Sequence, residues 1–217
     1  MSELTLYTYF RSSAAYRVRI ALALKGIDHT SSFVHLVKEG GQHTAAEYKA
    51  VNFQGLVPSL DVDDQSLTQS MAILEYIEEV YPEPPLLPQD AFSRAQVRSL
   101  AQIIVADIHP LNNLRVIKYL ESELAINKAD RAKWYQHWIK EGFSAIEKKL
   151  HENGNGSYCF GSNITMADLC LIPQVYNALR FSVSLVAFPN IDRVYRNCIE
   201  QDAFIIAAPE RQEDCDV

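Results

Sequence analysis

The stretch FRSSAAYRVRIALALKGI, residues 10–27, decides the fold. Before it, LTLYTYF (4–10) alternates and is rich in aromatic and β-branched side chains, the pattern of a strand. After it, Val18, Ala21, Leu22 and Leu24 recur at helical spacing, and Lys25-Gly26 supplies a stop. A strand therefore delivers Ser12 and Ser13 to the first turn of a helix. One of the two is the N-cap, because a hydroxyl oxygen there accepts an N–H that the helix leaves unpaired. The same turn carries roughly half a positive charge and attracts anions, a thiolate included. Two readings follow. In one, a serine caps and its neighbour faces solvent. In the other, a serine hydroxyl donates to sulfur, and since no cysteine lies here the thiol comes from a cofactor.

Working outward, TSSFVHL (30–36) reads as a second strand. LVPSLDV and SLTQ read as two short strands around a turn at Asp63-Asp64, and SMAILEYIEEVY (70–81) as an amphipathic helix buried through Ile73, Leu74 and Ile77. The order is βαβ, a loose region, then ββα. VYPEPPLLPQD (80–90) holds four of the nine prolines. Proline lacks the N–H and restricts its predecessor, so no helix runs through this segment. The division expected is 1–83, a linker at 84–90, and an all-helical part from 91 to 217. In that second part long helices are expected over about 92–122 and 130–152 and shorter ones over about 165–180, 190–200 and 202–207. Pro110 should kink the first of them.

Two further places repeat the theme of the helix mouth. Gln69-Ser70 opens the helix over 70–81, where Ser70 either caps or helps to hold a carboxylate. Val57-Pro58 opens a strand, where proline is tolerated; a cis bond there would leave the preceding backbone able to pair with an extended peptide. NITMADL (163–169) contains Thr165-x-x-Asp168, which resembles a capping box, with Ile164 as hydrophobic staple. That motif reads as structural. Trp134 and Trp138, four residues apart, read as packing.

Composition narrows the function. The 217 residues are 48% hydrophobic and 22% charged, as expected of a packed globular protein. A net charge of −7 argues against a general nucleic-acid binder. No apolar run is long enough to span a membrane or form a leader, so a cytoplasmic setting is expected. The four cysteines, Cys159, Cys170, Cys198 and Cys215, form no C-x-x-C pair. Neither a metal site nor a dithiol motif is read from them. They are taken as reduced thiols, Cys170 and Cys198 as buried structural ones.

Taken together, FRSSAAYRVRIALALKGI, VPSL, QSMAILEYIEE, LLPQD, DIHPLNN and TMADLCLIPQVYNA resemble the zeta-class glutathione transferases along nearly the whole chain. The resemblance implies an α+β thioredoxin-like first domain, an all-α second domain, a homodimer, and reduced glutathione as cofactor. It implies that Ser12 donates to the glutathione sulfur, with Ser13 beside it. Val57 and Pro58 would meet the cysteinyl part, Gln69 and Ser70 the γ-glutamyl end, and His43, His109 and Asn113 further parts of glutathione. Arg17 belongs to the family signature and is expected to brace the site; Arg19 reads as an ordinary helix-face charge. A diketo diacid substrate would be held by Arg11, His109, Arg115 and Arg180, since guanidinium groups suit carboxylates. The activity implied is glutathione-dependent cis–trans isomerisation of maleylacetoacetate. The alternatives are maleylpyruvate as substrate, or conjugation and dehalogenation of small haloacids. Two departures stand out: Ala14 replaces the usual family cysteine, and His43 a common glutamine.

Overall fold

A computed structural model describes residues 3–216. The chain divides into two compact units. The first holds the chain up to Pro85 together with the segment from Glu200 on, and the second holds Leu86–Ile199.

The first unit is built on a four-stranded mixed sheet of order β2-β1-β3-β4. Strand β1 (Leu4–Thr8) runs parallel to β2 (Thr30–Phe33) and antiparallel to β3 (Ser59–Val62), which pairs with β4 (Gln65–Thr68). Leu4 and Leu6 of β1 and Leu60 of β3 are buried. The β3–β4 turn is made by Asp63 and Asp64, both at positive φ (47° and 66°), as a two-residue hairpin turn requires. Helix α1 (Ser13–Leu24) and helix α3 (Ser70–Val80) pack on one another. Both bury apolar side chains, among them Val18, Ile20 and Leu22 of α1 and Ile73, Leu74 and Ile77 of α3. Their C-terminal ends are joined by Lys25, whose Nζ donates to Glu78 Oε2 (2.9 Å), Tyr81 O (2.6 Å) and Pro84 O (2.8 Å). The loose region contains two short 3₁₀ turns and helix α2 (Ala46–Val51).

The second unit is helical: α4 (Ala91–Gln102), α5 (Leu114–Ser122), α6 (Lys128–Glu152), α7 (Met166–Arg180) and α8 (Pro189–Ile199). The single helix expected over 92–122 is interrupted. After α4 the chain continues as a π-helical turn (Ile103–Ile108), then a 3₁₀ turn (Pro110–Asn112), before α5 starts. His109 N donates to Ile104 O at 2.8 Å, five residues back, which is the wide π closure. Pro110 then forbids helix continuation in the ordinary register. Gly142 of α6 makes room for the bulge: a Cβ there would stand 2.2 Å from Ile108 Cδ1.

The capping box is present at α7. Asp168 is fully buried; its Oδ2 accepts from Thr165 N and Thr165 Oγ1, and its Oδ1 from Cys159 N, all at 2.8 Å. Burial pushes this carboxyl up, and those donors pull against the shift.

One departure concerns the chain's last part. Residues from Glu200 on belong with the first unit, not with the helical one as expected. Helix α9 (Asp202–Ala207) lies against α1. Tyr16 Oη donates to Phe204 O (3.3 Å) and Arg19 Nε to Ala207 O (3.1 Å). A short amphipathic segment carries no local mark of which core it will cover.

Candidate active site

In the first unit, Ser12 is the N-cap of α1. Its Oγ accepts from Ala15 N at 3.2 Å, and its own N–H donates to Tyr9 O at 2.9 Å, closing the β1–α1 turn. The hydroxyl oxygen is engaged as an acceptor, so its proton remains available to donate outward. Ser13, the first helical residue, is buried, while Ser12 is partly exposed. Ser12 is thus the serine that caps, and it is also the more exposed of the two. Arg11 lies beside it, its guanidinium over the Phe10 ring at 4.8 Å.

Arg19 is not an ordinary helix-face charge. It is 4% exposed. Its guanidinium donates to Thr8 Oγ1 (3.0 Å), Tyr9 O (3.2 Å) and Phe10 O (3.1 Å). These oxygens belong to the end of β1 and to the turn that carries Arg11 and Ser12. Arg19 therefore braces the turn that carries Arg11 and Ser12. Arg17, 1% exposed, instead reaches the mouth of α3, where its Nη1 donates to Ser70 Oγ at 3.1 Å. This stations a guanidinium charge behind a helix N-terminus whose N–H groups already favour an anion.

Gln69, preceding α3, has φ 71° and ψ 115°, a region a side-chain-bearing residue occupies at a cost of about 1–3 kcal/mol. Its side chain is exposed, and Nε2 donates to Gln54 Oε1 at 2.8 Å. Val57-Pro58 is cis. Val57 lies just outside the sheet ladder, whose register on β3 begins at Ser59. The preceding segment is pinned by two residues the sequence reading passed over. Tyr48 Oη donates to Leu56 O (2.6 Å) and shares a hydrogen bond with Ser59 Oγ (3.1 Å), and Asn52 Nδ2 donates to Leu56 O (2.7 Å). Tyr48 lies on α2 and Asn52 is its C-cap, and nothing in their local sequence marks this shared acceptor. His43 is wedged between two glycines at positive φ. A Cβ at Gly41 would stand 2.4 Å from His43 Cε1, and one at Gly55 2.7 Å from His43 O.

In the second unit, His109 sits at the junction of the π and 3₁₀ turns. That junction is tied to α6: Trp134 Nε1 donates to Leu111 O (2.9 Å) and Asn112 Nδ2 to Tyr135 O (3.3 Å). Trp134 and Trp138 meet edge to face at 5.7 Å, so the pair packs, and Trp134 also anchors the turn. Asn113 is the N-cap of α5, its Oδ1 accepting from Arg115 N at 3.1 Å. Arg115 is exposed on the first turn of α5, and Arg180 is exposed at the end of α7. The Arg180 guanidinium lies 4.8 Å from the Phe181 ring centre, and that ring stacks on Tyr135 at 3.6 Å. Burial pushes the Tyr135 hydroxyl up to about 12, with the Arg180 charge acting in the opposite direction.

Three of the chain's four thiols are enclosed, and Cys215 is partly exposed. Cys159, Cys170 and Cys198 are buried and in no disulfide. Burial pushes the Cys159 and Cys198 thiols well up, so neither ionises near neutral pH. Among the described residues no cluster of His, Cys, Asp or Glu is gathered as a metal ion requires, and no helix is long and apolar enough to cross a membrane.

A family model for the glutathione S-transferase N-terminal domain matches residues 2–79, and one for the C-terminal domain matches residues 111–203. The chain belongs to the glutathione S-transferase family. A probable maleylacetoacetate isomerase of Vibrio cholerae is 45% identical over 214 residues, covering 99% of both chains. The holo structure of a maleyl pyruvate isomerase, described as a bacterial zeta-class glutathione S-transferase, is 46% identical. It superposes with a TM-score of 0.94 over 97% of this chain and 99% of its own. A maleylacetoacetate isomerase from Methylobacterium extorquens, solved with bound malonate and glutathione, is 36% identical. Its TM-score is 0.93, over 98% of this chain and all of its own. Within the glutathione S-transferase family the chain falls with the zeta class, and the fold expected of that class is the one observed.

Proposed function

We propose that the protein is a glutathione-dependent cis–trans isomerase of a maleyl-type diketo diacid, with maleylacetoacetate the preferred substrate and maleylpyruvate the alternative. The carrying observation is Ser12: a helix cap with a donor to offer, at a helix mouth that holds no protein thiol. The first unit fits glutathione in chemistry. Val57 lies outside the ladder and can pair with a peptide, and the α3 mouth, with Arg17 behind Ser70, favours a carboxylate.

Bound glutathione would supply a thiolate that adds reversibly to the alkene carbon conjugated with the keto group, so that the double bond becomes single, rotates, and reforms as the thiolate leaves. The Ser12 hydroxyl and the first-turn N–H groups of α1 hold the sulfur in its anionic form. Arg11 offsets negative charge developing on the substrate's carbonyl oxygen. Arg115, Arg180 and His109 hold the carboxylates through rotation. A homodimer is part of this reading, supported by family membership. A cytoplasmic setting is also part of it, supported by four cysteines held as thiols and in no disulfide.

The test is a steady-state assay on both diacids, with and without reduced glutathione, while glutathione is followed. Turnover that requires glutathione without consuming it is expected, faster on maleylacetoacetate. Stoichiometric loss of glutathione with small haloacids, and no isomerisation, would replace this reading with a conjugating transferase. Sedimentation giving a monomer would remove the dimer.

A further inference from the structure

The segment after α9 is more than a tail. Asp214 Oδ2 accepts from Phe10 N at 3.0 Å. Phe10 is fully buried and stands two residues before Ser12, in the turn closed by the Ser12 N to Tyr9 O bond. Cys215 packs against the apolar cluster of Tyr9, Phe10, Val34, Tyr48 and Val57. Asp216 Oδ2 lies 3.0 Å from Lys38 Nζ and 3.4 Å from His35 Nε2. His35 Nδ1 accepts from Val37 N (3.1 Å) and Lys38 N (2.8 Å), which leaves its proton on Nε2, facing Asp216. His35 N and Gln42 then close the same loop, at 2.9 Å to Gln42 Oε1 and 2.8 Å from Gln42 N to His35 O. One strap of the chain thus fastens two loops of the first unit: the turn that carries Arg11 and Ser12, and the loop that leads to His43.

We propose that Asp214 is a positioning residue for the thiolate site, its carboxylate oxygen fixing the Phe10 N–H and with it the placement of the Ser12 hydroxyl. The proposal rests on the reading of the first unit as a glutathione site. A buried N–H that loses its acceptor must find another or move. The turn has little freedom to do so without displacing Ser12, because Arg19 holds its carbonyl groups from the other side. The acceptor matters here and the charge does not. Asparagine presents an oxygen at the same place and restores the bond; alanine cannot.

The experiment compares Asp214→Ala and Asp214→Asn in the full chain. Glutathione affinity is measured by calorimetry, and kcat/KM across pH on the diacid that the unaltered chain turns over. For Asp214→Ala the expected results are glutathione binding about tenfold weaker and an acidic limb moved up by about one pH unit, which is that same tenfold change. Asp214→Asn should keep both close to the unaltered values. A purely structural role would lower Tm in the alanine variant without moving the limb, and that result would overturn the proposal. So would a limb that moves equally in both variants, since the charge would then be the active feature. If Asp214→Ala does not fold, Asp214→Ser, too short to reach Phe10 N, takes its place with the same expectation. If the unaltered chain bound no glutathione, the functional reading would fall and the proposal with it. Normal binding with an unmoved limb in the alanine or serine variant would remove the strap's role alone.

Discussion

Helices α1 and α7 both open on capped N-termini, and the two caps differ in what they leave over. At α7, Asp168 is wholly buried and both of its oxygens are engaged, by Thr165 N, Thr165 Oγ1 and Cys159 N. At α1, the Ser12 oxygen accepts one N–H at 3.2 Å, and the partly exposed hydroxyl keeps a proton to donate. The first is a closed arrangement and does structural work. The second satisfies the helix and, on the proposed function, also addresses a ligand. Residue type alone does not separate the two roles, because Ser, Thr and Asp are all good caps. What separates them is the balance of donors and acceptors at a buried or an open position.

The largest expected effect breaks the closed cap. Asp168→Ala leaves three donors without their acceptor and should cost about 3 kcal/mol or more. At roughly 2–4 °C per kcal/mol for a chain of this size, a fall in Tm of about 6–12 °C is expected in a melt. The surviving folded fraction should keep its turnover per molecule. A cap that also served chemistry would lose turnover as well.

Next comes the open cap. Ser12→Ala should lower kcat on the order of 100-fold, the scale for removing one donor from developing or fixed negative charge. Its effect on the helix should be about 1 kcal/mol. The two substitutions thus predict opposite ratios of stability loss to activity loss, and steady-state kinetics beside a melt reads both. Ser13→Ala sharpens the contrast at the adjacent residue. Ser13 is buried at the first helical position, so an effect of about tenfold or less on kcat is expected, one hydrogen bond's worth.

The smallest effect concerns the cap of α4. Asp90 caps α4 in the open, its Oδ1 accepting from Ser93 N at 2.9 Å. That backbone hydrogen bond holds its carboxyl below the usual carboxylate range. A lowered folded value means a contribution present above the unfolded value of about 3.9 and lost as pH falls through the folded one. Asp90→Asn keeps an acceptor and removes the titration. Tm of this variant should match the unaltered chain near pH 6 and fall slightly less on going to pH 3.

Much of this was legible in the sequence, for identifiable reasons. The strand into Ser12, the helix behind it, the two-strand hairpin at Asp63-Asp64 and the α7 cap each rest on signals within a few residues. The features that were not legible depend on distant parts of the chain. Arg19 looks like a solvated charge, because only the fold brings three oxygens of the β1 end and its turn around it. The π turn at Ile103–Ile108 adds a residue to a helix whose apolar pattern stays nearly regular, and its room at Gly142 comes from another helix. The return of the segment from Glu200 to the first unit is fixed by contacts with α1 that no local pattern announces. At the site, the position of Ser12 was readable, whereas the braces that hold it, Arg19 and Asp214, were not.

The central claim is that the Ser12 hydroxyl at the α1 mouth holds a cofactor's thiolate where the β1–α1 turn itself carries no cysteine. It is tested most directly by titrating the ultraviolet absorbance of the thiolate in the glutathione complex, for the unaltered chain and for Ser12→Ala, at saturating ligand. The account predicts ionisation of bound glutathione well below the value of about 8.5 for a free thiol, and a return toward that value in Ser12→Ala. Bound glutathione that ionises at the same pH with and without the Ser12 hydroxyl would contradict it.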